Sequence, residues 1–488
     1  MPRQCCQGIL IWLAGLAACT LLTGCAAVVV PPNERIDRVD PVGGYRINRL
    51  VQRSRAARNN SETLFILTFS GGGTRAAALS YGVLEELQRT QIRVRGGPRH
   101  SLLSEVDLIT GVSGGSFTAL AYALHGEKLF VDYDQRFLKR DVEGELKQRT
   151  FLTPSNWLKL AVSDYSRSEL AADFYDEILF GGATFNDLIG LGTPATAVTG
   201  TDLSTGARFQ FAQDQFDLIC SDVGKVRLAR AAATSSAVPV VFTPLTYRNY
   251  GGHCAAQLPA WVTDVTRPDS PQRPAGRALL RHRDILSFQD SANRPYLHIV
   301  DGGVSDNLGL RGVLEAFEEL EASPAFQREM NFDRVRRIVV VVVNSRSAPS
   351  TDWDRNPTPP GLVAQLLQSS SVPIDHFSYE SVELLKDISQ RWADNRRLAV
   401  AERRLAGQTQ AQAEAAVPDL AFDAIDVSFD SIADEQERRY FMNLPTSFVL
   451  PAEAVDRLRA LGGRLLRESS TYQSLLALIA RSNASPAD

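Results

Sequence analysis

The chain is poor in histidine and cysteine: its 488 residues hold six of each. No cluster of metal-ligating side chains is visible, so the sequence implies neither a metal nor an organic cofactor. Basic runs interleaved with aromatics are also missing, and 56 acidic against 52 basic residues leave a net charge of −4, which removes nucleic acid as the expected partner. No internal repeat stands out. Long apolar runs are missing too: the stretch Gly8 to Leu22 is too short for a membrane span, and it has instead the shape of a secretory leader core.

What is present begins at that leader. Met1-Pro2-Arg3 precedes it and Leu22-Thr23-Gly24-Cys25 closes it. Leu-Thr-Gly-Cys resembles a bacterial lipobox. That resemblance implies cleavage before Cys25, acylation of Cys25, and a membrane anchor of several chains, each stabilised by about 0.8 kcal/mol per buried CH₂. Ala26 and Ala27 lack the aspartate that retains such proteins in the inner membrane, so the expected location is the outer membrane, facing the periplasm. Removing residues 1–24 leaves 488 − 24 = 464 residues, enough for a large core with extensions. The expected organisation is leader 1–24, tether 25–61, catalytic domain 62–345 and extension 346–488. With Cys25 assigned to lipid, Cys220 and Cys254 remain; in an oxidising compartment a disulfide between them is expected, with two free buried thiols as the open alternative.

The most informative stretch is Gly111-Val112-Ser113-Gly114-Gly115. It follows the apolar run Val106–Thr110 and precedes the helical pattern Phe117–Leu124. A strand, a tight glycine-walled turn and a helix put Ser113 on a nucleophile elbow, with its hydroxyl at a helix N-terminus that favours negative charge. Upstream, the apolar strand Thr63–Phe69 runs into Ser70-Gly71-Gly72-Gly73-Thr74-Arg75 before another helix. Three consecutive glycines can turn backbone N–H groups into a nest for a developing oxyanion. Arg75 could fix that loop, neutralise an anionic substrate group, or be a solvated helix-start residue. Downstream, the strand Tyr296–Val300 ends in Asp301-Gly302-Gly303. That aspartate either closes an ordinary turn or stands at the carboxyl end of a parallel strand, where open α/β sheets place their chemistry.

Two rival chemistries can be weighed on the same residues. Gly71-x-Gly73-x-x-Ala76 fits a dinucleotide fingerprint, but that site wants an acid about 20 positions later, and Gln91–Gly97 offers two arginines and no acid. A Ser-His-Asp hydrolase wants a histidine beyond the acid, where the chain has only His376, in a polar setting after a proline-rich loop. His298 reads as a packing or capping residue. A Ser113–Asp301 dyad is the remaining arrangement. An ordinary aspartate, with a pKa near 3.9, is a feeble base for a hydroxyl unless water is excluded around it.

Taken together, Gly71-Gly72-Gly73-Thr74-Arg75, Gly111–Gly115, the block Arg230–Pro239 with Phe242 and Pro244, and Asp301-Gly302-Gly303 resemble, in this order, the patatin-like phospholipases. Leu170–Tyr175, Leu179–Gly182 and Leu444–Phe448 look like the bacterial lipoprotein branch. The resemblance covers about residues 62 to 345. It implies Ser113 as nucleophile, Asp301 as the base that contacts it, and the Gly71, Gly72 and Gly73 loop as oxyanion hole, with Gly72 and Gly73 donating. In that family a helix start like Arg230–Pro239 packs beside the active site; of the readings of Arg75, substrate binding is the one expected here. The expected substrate is a phospholipid, lysophospholipid or other acyl ester. Acyl transfer to another acceptor and a scaffold lipoprotein without turnover are the alternatives.

The fold expected with it is α/β: three layers around a central, mostly parallel sheet, with helical lid segments and a C-terminal α+β extension. Strands are expected at Leu64–Phe69, Val106–Thr110, Ala195–Gly200, His298–Val300 and Ile338–Val343, all read as parallel and covered on both faces. Pro259–Asn293 and Ser345–Ser371 read as access loops. Phe130–Tyr175, with Trp157-Leu158, reads as either a lid dipping into lipid or core helices. Phe377–Leu405 reads as a charged helix, Ile425–Phe429 as a strand, and Pro451–Glu468 as a last amphipathic helix.

Overall fold

The computed structural model describes residues 33–482, apart from 59–61, 94–96, 154–164, 240, 258–275, 349–352, 356 and 418–419. The leader, Cys25, Trp157-Leu158 and the first part of the Pro259–Asn293 insertion lie outside the described residues. Among the described residues no helix is long and apolar enough to cross a membrane.

Eight strands form the main sheet: β1 (Thr63–Phe69), β2 (Leu108–Val112), β3 (Ala195–Asp202), β4 (Arg208–Gln210), β5 (Leu245–Arg248), β6 (Tyr296–Asp301), β7 (Arg337–Asn344) and β8 (Ala421–Ser428), in the order β8-β7-β1-β2-β3-β6-β5, with β4 paired to β3. The five from β8 to β3 are parallel. Alternate residues of these apolar strands enter two separate cores. Phe65, Leu67, Phe69, Val339, Val341 and Val343 face one layer of helices, while Leu64, Ile66, Ile338, Val340 and Val342 face the other. A strand with a period of two and no polar side must be covered twice, and the result is an α/β/α sandwich.

The first layer holds α2 (Gly73–Arg89), α3 (Gly114–His125) and α6 (Leu228–Ser235); α8 (Arg311–Ala322) belongs to the second. Between α3 and α6 the chain makes α4 (Val142–Phe151) and α5 (Arg167–Tyr175). The choice left open for Phe130–Tyr175 falls to the core: Tyr133, Phe137, Phe174 and Tyr175 are fully buried, and Phe117 stacks on Phe137 at 4.8 Å.

Four expectations are corrected. The tether does not extend to residue 61: Asn33, Tyr45 and Arg46 are buried, Arg46 pairs with Asp214 and Asp217, and α1 (Ile47–Ala57) packs on the sheet. Polarity misled there, because the arginine lies in contact with two acids distant in sequence. The insertion before Asn293 contains a helix, α7 (Gly276–Gln289). The serine run is helical, since α9 spans Leu362–Leu405 with Pro373 inside it; a proline there removes one intrahelical N–H and crowds the preceding turn, yet the helix continues through it. The extension supplies β8, in register with β7 from Ala421↔Arg337 to Ser428↔Asn344, and its helix α10 (Ala452–Glu468) lies on α2 so closely that a Cβ on Gly82 would stand 2.1 Å from the Arg459 carbonyl oxygen. The expected α+β extension thus packs on the preceding layers and also adds a strand to their sheet. Finally, β6 is antiparallel to β3, not parallel. It is entered by a short turn from α7 at the site end of the sheet, with no crossover to carry the chain back to the other end.

Candidate active site

The strand β3 acts as a ruler for the site. On it, the last residue of β2, Val112, faces Thr199, and the last residue of β6, Asp301, faces Gly200. Two strands arriving from opposite directions thus end one residue apart, and the side chains there meet: the Ser113 hydroxyl comes close enough to Asp301 to favour its carboxylate form. They stand 301 − 113 = 188 positions apart in the chain.

Ser113 has φ 49° and ψ −121°, a conformation that L-residues rarely adopt and that surrounding structure must impose. Its N–H donates to Ser235 Oγ at 2.9 Å, and its carbonyl accepts from Ser116 Oγ at 2.6 Å. Ser235 ends α6, so the Arg230–Pro239 block does abut the elbow. Immediately after Ser113, the backbone of Gly114 touches the glycine loop: a Cβ on Gly114 would lie 2.0 Å from the Gly73 carbonyl oxygen.

Asp301 is buried, and burial raises its pKa to about 6, against the lowering effect of its bonds from Gly303 N–H and from Ser113. The Gly303 bond is 2.7 Å, made to Oδ1. The Asp301 backbone is fixed as well, with its N–H on the Ala237 carbonyl at 3.0 Å and the next N–H, of Gly302, on the Ser235 carbonyl at 3.1 Å. The same small-residue segment therefore holds both members of the pair. Neither histidine considered in the sequence joins them: His298 is exposed and bonded to Thr246 Oγ1 at 3.0 Å, and His376 is exposed on α9.

The loop Ser70–Gly73 lies between β1 and α2. Gly72 and Gly73 have φ of 136° and 59°, which only glycine adopts freely. A Cβ on Gly71 would stand 3.3 Å from the Ser113 Cβ, so the loop borders the hydroxyl. Its three N–H groups are not equivalent, however. Gly71 donates to the Asn307 carbonyl at 2.8 Å and is occupied, whereas the N–H groups of Gly72, Gly73 and Gly114 have no acceptor among the described residues. The two glycines expected to donate, Gly72 and Gly73, thus have open N–H groups, and Gly114, at the start of α3, presents a third.

Arg75 is also corrected. It is buried, donating to the carbonyls of Ser345 (2.8 Å) and Leu444 (2.5 Å) and to Thr446 Oγ1 (3.1 Å). Burial lowers its pKa to about 10, with Asp375 of α9 opposing the shift. Such a guanidinium braces the loop and does not face a ligand. Ser345 completes the brace through Oγ on the Gly71 carbonyl at 2.9 Å, and the Ser447 carbonyl accepts from Thr74 N–H at 2.9 Å.

Two supporting residues were not singled out in the sequence. Asn307 has its side-chain oxygen 2.4 Å from where a Cβ on Gly71 would be and 3.0 Å from one on Gly303, so it spans loop and acid; its only signal is its place four residues after Gly303. Ser345 gave no signal, as a serine after a valine run reads as the end of a strand. Cys220 and Cys254 form a disulfide with Cα atoms 5.5 Å apart. Among the described residues no group of three metal-binding side chains occurs.

The human GIVD cytosolic phospholipase A2 has 12% identity and a TM-score of 0.45, over 90% of this chain and 66% of that one. Its complex with methyl gamma-linolenyl fluorophosphonate has 11% identity and a TM-score of 0.39, over 90% and 63%. The chain thus spans just under two thirds of the length of these structures. No curated protein matches. The patatin-like phospholipase family model matches residues 67–314, a segment that contains the glycine loop, the elbow and the acid. By this match over half its length, the chain belongs to the patatin-like phospholipase family.

Proposed function

We propose that the protein is a serine acyl hydrolase acting on a phospholipid, lysophospholipid or related acyl ester. The observation that carries this reading is the meeting of Ser113, held at φ 49°, with the buried carboxyl of Asp301 at neighbouring strand ends. Ser113 Oγ attacks the ester carbonyl while its proton passes to Asp301. The carbonyl oxygen becomes an oxyanion, stabilised by N–H groups of Gly72, Gly73 and Gly114, each such donor contributing on the order of 3 kcal/mol. Asp301 returns the proton to the leaving alkoxide as the C–O bond breaks, leaving an acyl-Ser113 ester. Water, deprotonated by Asp301, then releases the fatty acid and restores the hydroxyl. A carboxylate whose pKa is raised to about 6 is a better match to this task than one near 4.

The lipobox-like Leu22–Cys25 supports placing the enzyme as a lipoprotein of the outer membrane, facing the periplasm. A fluorophosphonate probe tests the chemistry. The parent chain should be labelled and Ser113→Ala should not, with hydrolysis of a p-nitrophenyl ester falling at least about 10³-fold. A parent chain that is neither labelled nor hydrolytic would instead support the scaffold reading, and acylated acceptor in place of free fatty acid would support acyl transfer.

A further inference from the structure

Helix α7, which leads into the strand ending at Asp301, has two unlike faces. Inward, Ile285 and Phe288 are buried, and Phe288 lies 5.9 Å from the ring of Phe209, a residue paired with Gly200 at the level of Asp301. Arg294 fastens the end of the helix by donating to Ser287 and to Asp202 at the tip of β3. Outward, Leu279, Leu280 and Leu286 are 45%, 47% and 45% exposed, and Arg283 is exposed among them. Spacings of three and four put Leu279, Arg283 and Leu286 on one stripe.

The chain's N-terminal part joins the fold at this same corner. Asn33 exchanges side-chain bonds of 2.9 and 2.7 Å with the carbonyl and N–H of Arg248, which faces Tyr296 across β5 and β6. Tyr296 lies five residues before Asp301, about 17 Å along the strand toward the site end. Ile36 N–H donates to the Cys220 carbonyl at 2.9 Å, Cys220 is bonded to Cys254, and Ser291, just past α7, donates to the Gly251 carbonyl at 2.6 Å. Exposed Tyr296 and Leu203, whose N–H bonds the His298 carbonyl, extend the apolar rim toward Asp301.

We infer that the outer face of α7 and this rim rest on a lipid bilayer bearing anionic phosphate headgroups, so that the Ser113–Asp301 site opens toward the membrane that holds the protein. The inference rests on the reading of Cys25 as an anchor. Eight residues separate Cys25 from Asn33, a reach of at most about 28 Å, so an anchored chain keeps this corner at the bilayer. Half-exposed leucines suit the acyl boundary, and an arginine among them suits phosphate.

The test uses the chain from residue 25 onward with Cys25→Ser, which carries neither the apolar leader nor a lipid at that position, so that vesicle binding reports α7 itself. With vesicles of phosphatidylethanolamine and phosphatidylglycerol, Leu280→Trp should gain a blue-shifted emission relative to the same chain with Leu280. Combined Leu279→Ser, Leu280→Ser and Leu286→Ser should lower co-sedimentation at least tenfold with an unchanged thermal melt. Arg283→Glu should weaken binding several-fold on phosphatidylglycerol-containing vesicles and not on phosphatidylcholine alone. Absence of the emission shift, co-sedimentation of the serine variant equal to its parent, or a lowered melt that makes the leucines structural would each overturn the inference. None of these readouts depends on turnover or on acylation of Cys25, so failure of the hydrolase or anchor readings would be seen separately.

Discussion

Asp301 shows how one residue can serve the site and burden the fold. Its raised pKa means that the folded state holds a proton more tightly than the unfolded chain between about pH 4 and 6, so stability is lost as pH rises through that window. Activity runs the other way, because only the carboxylate accepts the serine proton. The kcat/KM profile for a soluble ester should therefore show an acid limb of unit slope centred near pH 6. Asp301→Asn should abolish turnover and yet melt no lower than the parent at pH 7.5, with a gain of at most about 3 kcal/mol. A profile flat down to pH 5, measured with a soluble ester, would deny Asp301 its role. At this scale the sequence singled out Ser113 and Asp301 but not their surroundings: Arg75 reads equally as a loop brace or a ligand-facing cation until the carbonyls of Ser345 and Leu444, some 270 and 369 positions away, are placed on it.

Among the elements, the decisive contact is backbone on backbone, between the loop before α2 and the turn before α3. Gly114 against Gly73 leaves no room for a methyl group, and the neighbour is a carbonyl that cannot swing away. Gly114→Ala should push the loop off the elbow, lowering kcat at least about 100-fold while costing about 1–3 kcal/mol of stability; steady-state kinetics and a thermal melt read the two effects. The motif spacing showed that both turns exist. It could not show the direction of β6, since alternation of buried and exposed residues is identical in parallel and antiparallel strands. Nor did composition reveal the helical start of α9, where serines and a proline read as loop.

For the molecule as a whole, residues far from the motifs hold the site together. The C-terminal part adds an edge strand, covers α2, and lends the carbonyls of Leu444 and Ser447 to Arg75 and Thr74 at the end of the glycine loop. The disulfide closes a separation of 34 residues, for which the chain-entropy account gives about 3–4 kcal/mol. Replacing Cys220 and Cys254 by serine should lower the urea midpoint accordingly, and because the bond clasps the Ile36 corner and not the Ser113 elbow, kcat on a soluble ester should be unchanged. A midpoint equal to that of the parent would show that the loop is closed as well without it.

The sequence by itself determined the layers, the two glycine turns, and the placing of Ser113 and Asp301 at strand ends, because these depend on local rules: period-two apolar runs, and turns that only glycine permits. Tertiary structure decided what depends on distant partners. It set the antiparallel approach of Asp301, the occupied N–H of Gly71 and the free one of Gly114, the bracing role of Arg75, and the docking of residues from Asn33 onward. A hydrogen-bond donor looks the same in sequence whether it is open or already taken, and only the folded chain shows which acceptor reaches it first.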